Sequence, residues 1–104
     1  MEATKRYREK MNDVLRCLAV REGDVRERLV GAYRYLRMLR LAEVPVSHRE
    51  EFMSILDACT RYGPELGPEG EVWVPSVKHT MQKIRNSTGR RLAEQLYQLA
   101  RDLD

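Results

Sequence analysis

The stretch Val25-Arg26-Glu27-Arg28-Leu29-Val30-Gly31-Ala32-Tyr33-Arg34-Tyr35-Leu36-Arg37-Met38-Leu39-Arg40-Leu41 decides how the chain is read. Val25, Leu29, Ala32, Leu36 and Leu39 are separated by steps of four and three. At roughly 100° per residue they fall within about 80° of arc, which is the apolar stripe of one helix. The same stepping recurs on both sides of it. Tyr7, Met11, Val14 and Leu18 precede it; Phe52, Leu56 and Cys59, then Val77, Met81 and Ile84, then Leu92, Leu96, Leu99 and Leu103 follow. Period-two alternation is nowhere sustained. Narrow stripes of this kind suit helices that cross at about 20°, as in bundles.

Helix punctuation fits the same reading. Gly23 stands where a left-handed residue closes a first helix. Asp24 with Glu27, and Ser47 with Glu50, have the spacing of capping boxes. Pro45 ends the connection after the second helix. Gly63-Pro64-Glu65-Leu66-Gly67-Pro68-Glu69-Gly70 admits no helix. After it, Ser76 can cap a fourth helix, or Pro75 can occupy its first turn. A continuous helix from Ser76 to Leu103 would be about 42 Å long, against a radius of gyration near 13 Å for a domain of this length. The weak helix formers Asn86-Ser87-Thr88-Gly89 therefore mark a break near Ser87. The expected fold is all-α: a compact bundle of four to five short antiparallel helices at about 4–21, 25–42, 48–62, 76–86 and 88–103, with one Pro/Gly loop at 63–70. A single helical domain over 1–104 is expected.

Composition narrows the functional classes. The chain has 104 residues with 34% charged side chains and a net charge of +3, and a pI near 9.1. That balance is mildly basic, without a basic or acidic tail. Arginine dominates, with 15 Arg against 4 Lys. Cys17 and Cys59 each fall on an apolar helical stripe, where a free thiol packs as a small hydrophobe. The segment Met1-Glu2-Ala3-Thr4-Lys5-Arg6 leads into charged helix, not into an apolar leader. No apolar run approaches the length of a membrane span. A soluble, cytoplasmic protein is expected.

Chemistry-bearing constellations are sparse. His48 and His79 have no Cys, Asp or second His at helical spacing. HExxH, CxxC, GxSxG, Walker and EF-hand patterns are absent. No catalytic residue, metal or cofactor is expected, and the chain reads as a non-enzyme.

One surface stands out. Arg26, Arg34, Arg37 and Arg40 occupy one flank of the second helix, within about 120° of each other. Arg34 and Arg37 have no acid three or four residues away, and the only acids at that spacing from Arg26 and Arg40 are Glu22 and Glu43. Val30 and Leu41 share the sector and Tyr33 borders it. These seven residues form a candidate partner-binding face, with arginines suited to bidentate pairing with acids. Gly31 in mid-helix suggests close approach by another backbone. Tyr35, Met38, Met53 and Tyr97 lie off the main stripes, an interface-like set. Trp73, between Val72 and Val74, suggests a segment covering one end of the bundle.

The function expected is a small adaptor or regulatory module that contacts another protein or a second copy of itself, as a possible homodimer. The alternative is a nucleic-acid-binding protein, or a small subunit of a ribonucleoprotein complex, using its Arg-rich faces.

Overall fold

A computed structural model describes residues 2–103, and Met1 and Asp104, the ends of the expected domain, lie outside them. The chain order is α1 (Glu2–Val20), α2 (Val25–Leu36), a 3-10 turn (Leu41–Glu43), α3 (Val46–Cys59), β1 (Glu65–Leu66), β2 (Val72–Val74), α4 (Ser76–Lys83) and α5 (Asn86–Arg101). The architecture is an all-α bundle of short helices with one very small two-stranded sheet.

Between α1 and α2 the chain turns at Gly23, whose φ of 98° is open to glycine and strained for other residues. Asp24 then caps α2, its carboxylate accepting from the Arg26 and Glu27 backbone N–H groups. This short connection lays α2 back along α1, and the two helices form the most extensive contact in the molecule. α2 also touches α3, α4 and α5, so it is the central helix.

The apolar stripes read from the sequence supply the core. Tyr7, Met11 and Val14 from α1 meet Leu29, Ala32 and Leu36 from α2, Phe52, Ile55 and Cys59 from α3, Met81 from α4, and Leu92, Leu96 and Leu99 from α5. The radius of gyration is 14.0 Å and the longest dimension 47 Å.

Several element boundaries differ from the sequence expectation. α2 stops at Leu36, not near 42. Its last turn tightens, with Met38 N–H bonding to Tyr35 O and Leu39 N–H to Leu36 O. Arg40 is then extended (φ −86°, ψ 150°). The cause is tertiary. Leu39 and Val44 both reach the core, and the Glu43 carboxylate takes the Arg40 N–H at 2.9 Å while pairing with Arg6 of α1 at 2.6 Å.

α3 starts at Val46 after Pro45, so Ser47 lies inside the helix and does not cap it. It ends at Cys59, not at 62. The Thr60 hydroxyl donates to Leu56 O at 3.0 Å, and Gly63 (φ 65°) turns the chain away. The Tyr62 N–H then bonds the buried Thr80 hydroxyl at 3.1 Å. His79 Nδ1 donates to Gly63 O at 2.9 Å. These two bonds fasten the chain after α3 to α4.

The Pro/Gly segment 63–70 is not a plain loop but supplies the first strand and the turn of a hairpin. Glu65 and Leu66 pair antiparallel with Val72–Val74, and Gly67 N–H bonds Glu71 O at 2.8 Å. α4 begins at Ser76 with Pro75 at the N-cap. The break before α5 comes at Ile84 and Arg85, both extended. It is a little earlier than expected, and Asn86–Gly89 form the first turn of α5. Gly89 is buried there against α2: a Cβ on it would lie 3.0 Å from Val25 Cγ1 and 3.3 Å from Arg26 Cγ. Gly31 has a different cause from the backbone approach expected. The Arg21 side chain lies over it, with Cδ 2.7 Å from where a Cβ would stand.

Candidate partner-binding face

Arginine placement organises the surface. Five arginines donate to backbone carbonyls at or just past helix ends. Arg28 reaches Leu18 O in the last turns of α1 at 2.9 Å. Arg26 reaches Ile84 O, where α4 ends, at 3.1 Å. Arg49 reaches Val44 O at 2.9 Å, Arg8 reaches Leu103 O at 2.9 Å, and Arg6 reaches Met38 O at 3.5 Å. Carbonyls at helix C-termini lack intrahelical donors and carry partial negative charge, so a guanidinium there satisfies both. Much of the arginine in this chain therefore serves the fold.

Against that background the seven residues of the expected face separate. Arg26 is structural. Besides Ile84 O, it pairs with Asp24 at 3.0 Å, and this hydrogen bond, followed by the Glu27 N–H, holds the Asp24 carboxyl below its ordinary range. Tyr33 and Val30 are half-buried and pack against the core. Burial raises the Tyr33 phenol above its usual value. Arg34, Arg37, Arg40 and Leu41 remain exposed. The helix ends before Arg37, so these four do not form a straight stripe on one helix. They follow the last turn of α2 into the connection to α3. No hydrogen bond or ion pair engages the Arg34, Arg37 or Arg40 guanidinium among the described residues.

What the structure adds to this face is apolar. Met38 is 48% exposed, Leu41 46% and Val46 76%, interleaved with the arginines on the same connection. Met38 was legible as an off-stripe residue. Val46 was not, because its exposure follows from where α3 starts. Of the other off-stripe residues, Met53 and Tyr97 are exposed, whereas Tyr35 is half-buried against the core with the Lys10 ammonium 6.0 Å from its ring centroid.

Arg26 and Val30 instead line an open groove of about 730 Å³ between the α1–α2 corner and α4, with Arg21, Lys78, Met81 and Gln82. Its charges are mixed, since Glu22, Asp24 and Glu27 also face it.

Trp73 does not cover the bundle. It is 61% exposed on the hairpin, its indole N–H donating to Glu71 Oε1 at 3.1 Å. The ring edge lies over Gly67, where a Cβ would stand 2.5 Å from Nε1.

Both histidines and Cys59 are engaged in the fold. His48 is buried and its Nδ1 lies 3.1 Å from the Tyr7 hydroxyl. His79 bonds Gly63 O. Cys59 is buried and its thiol is pushed up to about 12 by desolvation, which suppresses thiolate chemistry. Cys17 and Cys59 are both free thiols. Among the described residues no three His, Cys, Asp or Glu side chains gather as metal ligands. No helix among them is long and apolar enough to cross a membrane. No family model, no curated protein and no solved structure matches this chain.

Proposed function

We propose that the protein is a small adaptor or regulatory module that works by binding another protein, and not by catalysis. The binding surface is the basic, apolar connection from the end of α2 to the start of α3: Arg34, Arg37, Met38, Arg40, Leu41 and Val46. One observation carries this reading. Five arginines are committed to carbonyls at helix ends, while Arg34, Arg37 and Arg40 have no such bond and stand among exposed Met, Leu and Val. Arg and Met are enriched in interface cores, and a guanidinium fork pairs bidentately with carboxylates. The partner surface is therefore acidic with apolar contacts at its centre. Two free thiols accord with a reducing, cytoplasmic setting.

The test is affinity capture from native extract with the wild-type chain and with Arg34→Glu/Arg37→Glu, each with and without nuclease. The wild type retains its partner after nuclease treatment, and the variant loses it while keeping an unchanged thermal melt. Capture that disappears with nuclease, or binding whose logarithm falls steeply and linearly with the logarithm of salt, overturns the reading in favour of a nucleic-acid ligand. A large loss of stability in the variant assigns those arginines to the fold.

A further inference from the structure

Charge and exposed apolar surface concentrate in two segments of opposite sign. Residues 34–49 carry Arg34, Arg37, Arg40 and Arg49 against Glu43 alone. Residues 63–75 carry Glu65, Glu69 and Glu71 and no Lys or Arg. Each segment also presents apolar side chains to solvent: Met38, Leu41 and Val46 on the first, Leu66, Val72 and Trp73 on the second. α3 lies between them in the chain, its N-terminus adjoining the basic face and its C-terminus leading into the hairpin. With 14 residues it holds the two about 21 Å apart, so neither covers the other within one molecule.

We infer that the acidic hairpin of one copy docks on the basic face of a second copy, head to tail. This rests on the reading of the basic face as a protein-binding surface and names its occupant. Charge complementarity is the first support, because Glu65 and Glu69 supply the carboxylates that Arg37 and Arg40 lack. The second is preorganisation. Trp73 is already pinned across Gly67 by its bond to Glu71, so little side-chain freedom is lost on docking, and Trp and Arg are the side chains that most often anchor interfaces. The third is the hairpin itself. Strands of two and three residues are marginal in water and gain from a surface to lie on.

The two docking surfaces differ, so a pair joined by one contact retains one free hairpin and one free basic face. Association is then open-ended or closes into a ring, of which a reciprocal pair is the smallest. The contact is small, which places its affinity on the order of tens of micromolar.

Analytical ultracentrifugation of the full chain, from about 1 to several hundred micromolar so as to bracket that affinity, tests the inference. The weight-average mass of the wild type rises with concentration to that of a dimer or beyond. Arg37→Glu/Arg40→Glu stays monomeric, and so does Trp73→Ala. An equimolar mixture of these two variants forms a one-to-one complex and stops there, because each supplies the surface the other has lost. Glu65→Lys/Glu69→Lys leaves Trp73 and Glu71 in place and is monomeric as well, so the loss of association does not depend on whether Trp73→Ala unsettles the hairpin. A wild type that is monomeric throughout, or a closed dimer indifferent to these substitutions, overturns the inference. If the monomeric wild type nevertheless captures a partner through Arg34 and Arg37 after nuclease, the proposed function stands and only the head-to-tail contact falls.

Discussion

Tyr7→Phe is the substitution whose cost follows most directly from the structure. Tyr7 is fully buried on α1, and His48 on α3 is 8% exposed. With the imidazole neutral and protonated at Nε2, the Tyr7 hydroxyl donates to Nδ1 across 3.1 Å. The phenol ring also stands edge-on to His48, 5.7 Å between centroids, and to Phe52 at 6.1 Å. Phenylalanine keeps both ring contacts and most of the buried area and removes one oxygen. What is lost is a hydrogen bond, and what remains is a ring nitrogen without a donor at a site nearly closed to water. Together these cost about 1–3 kcal/mol, and a domain of this size loses about 4–8 °C in Tm for each of those. Urea denaturation followed by circular dichroism measures it, with an unchanged m-value showing that the denatured state is the same. A double-mutant cycle with His48→Leu then isolates the pair and returns a coupling of at least about 0.5 kcal/mol. A Tyr7→Phe protein within about 0.5 kcal/mol of wild type, or additive effects in the cycle, would show the hydroxyl to be dispensable.

Gly31→Ala stabilises the protein by about 0.5–1 kcal/mol, because α2 gains helix propensity while the exposed Arg21 side chain that would meet the new methyl swings into solvent. Destabilisation in the same urea titration would mean that Arg21 is fixed in place. Stability also falls in alkali. The folded-state thiol of Cys59 is raised to about 12 from 9.0, so its contribution is intact below pH 9 and is lost as pH rises toward 12; Cys59→Ala flattens that limb of a pH–stability profile. At the acid end the Asp24 carboxyl is depressed below 3.8, so its contribution is present above that value and disappears as pH falls below it, a limb that Asp24→Asn removes.

The core was largely legible because helical periodicity is a local property. Tyr7, Met11 and Val14, Leu29, Ala32 and Leu36, and Leu92, Leu96 and Leu99 are buried where their spacing placed them. The strands were not legible, since two- and three-residue strands are too short for alternation to show. Gly67-Pro68-Glu69-Gly70 between Glu65-Leu66 and Val72-Trp73-Val74 is the turn signal that marks them. The candidate face was legible in part. Arg34, Arg37, Arg40 and Leu41 are exposed as expected, but Arg26 is tied to Asp24, two residues before it, and to Ile84 O, far along the chain.

Spacing and punctuation within one turn were enough for the all-α class, a count of four to five helices, a break close to the start of α5 and most of the buried side chains. Tertiary structure decided where α2 ends, what Gly31 accommodates and which arginines are left over. Those outcomes depend on partners distant in the chain: Arg6 on Glu43, Arg21 across Gly31, Arg26 on Ile84 O and Arg28 on Leu18 O. A guanidinium on a flexible stem takes whichever carbonyl the fold brings within reach, and a backbone carbonyl has no residue type by which a sequence could announce it.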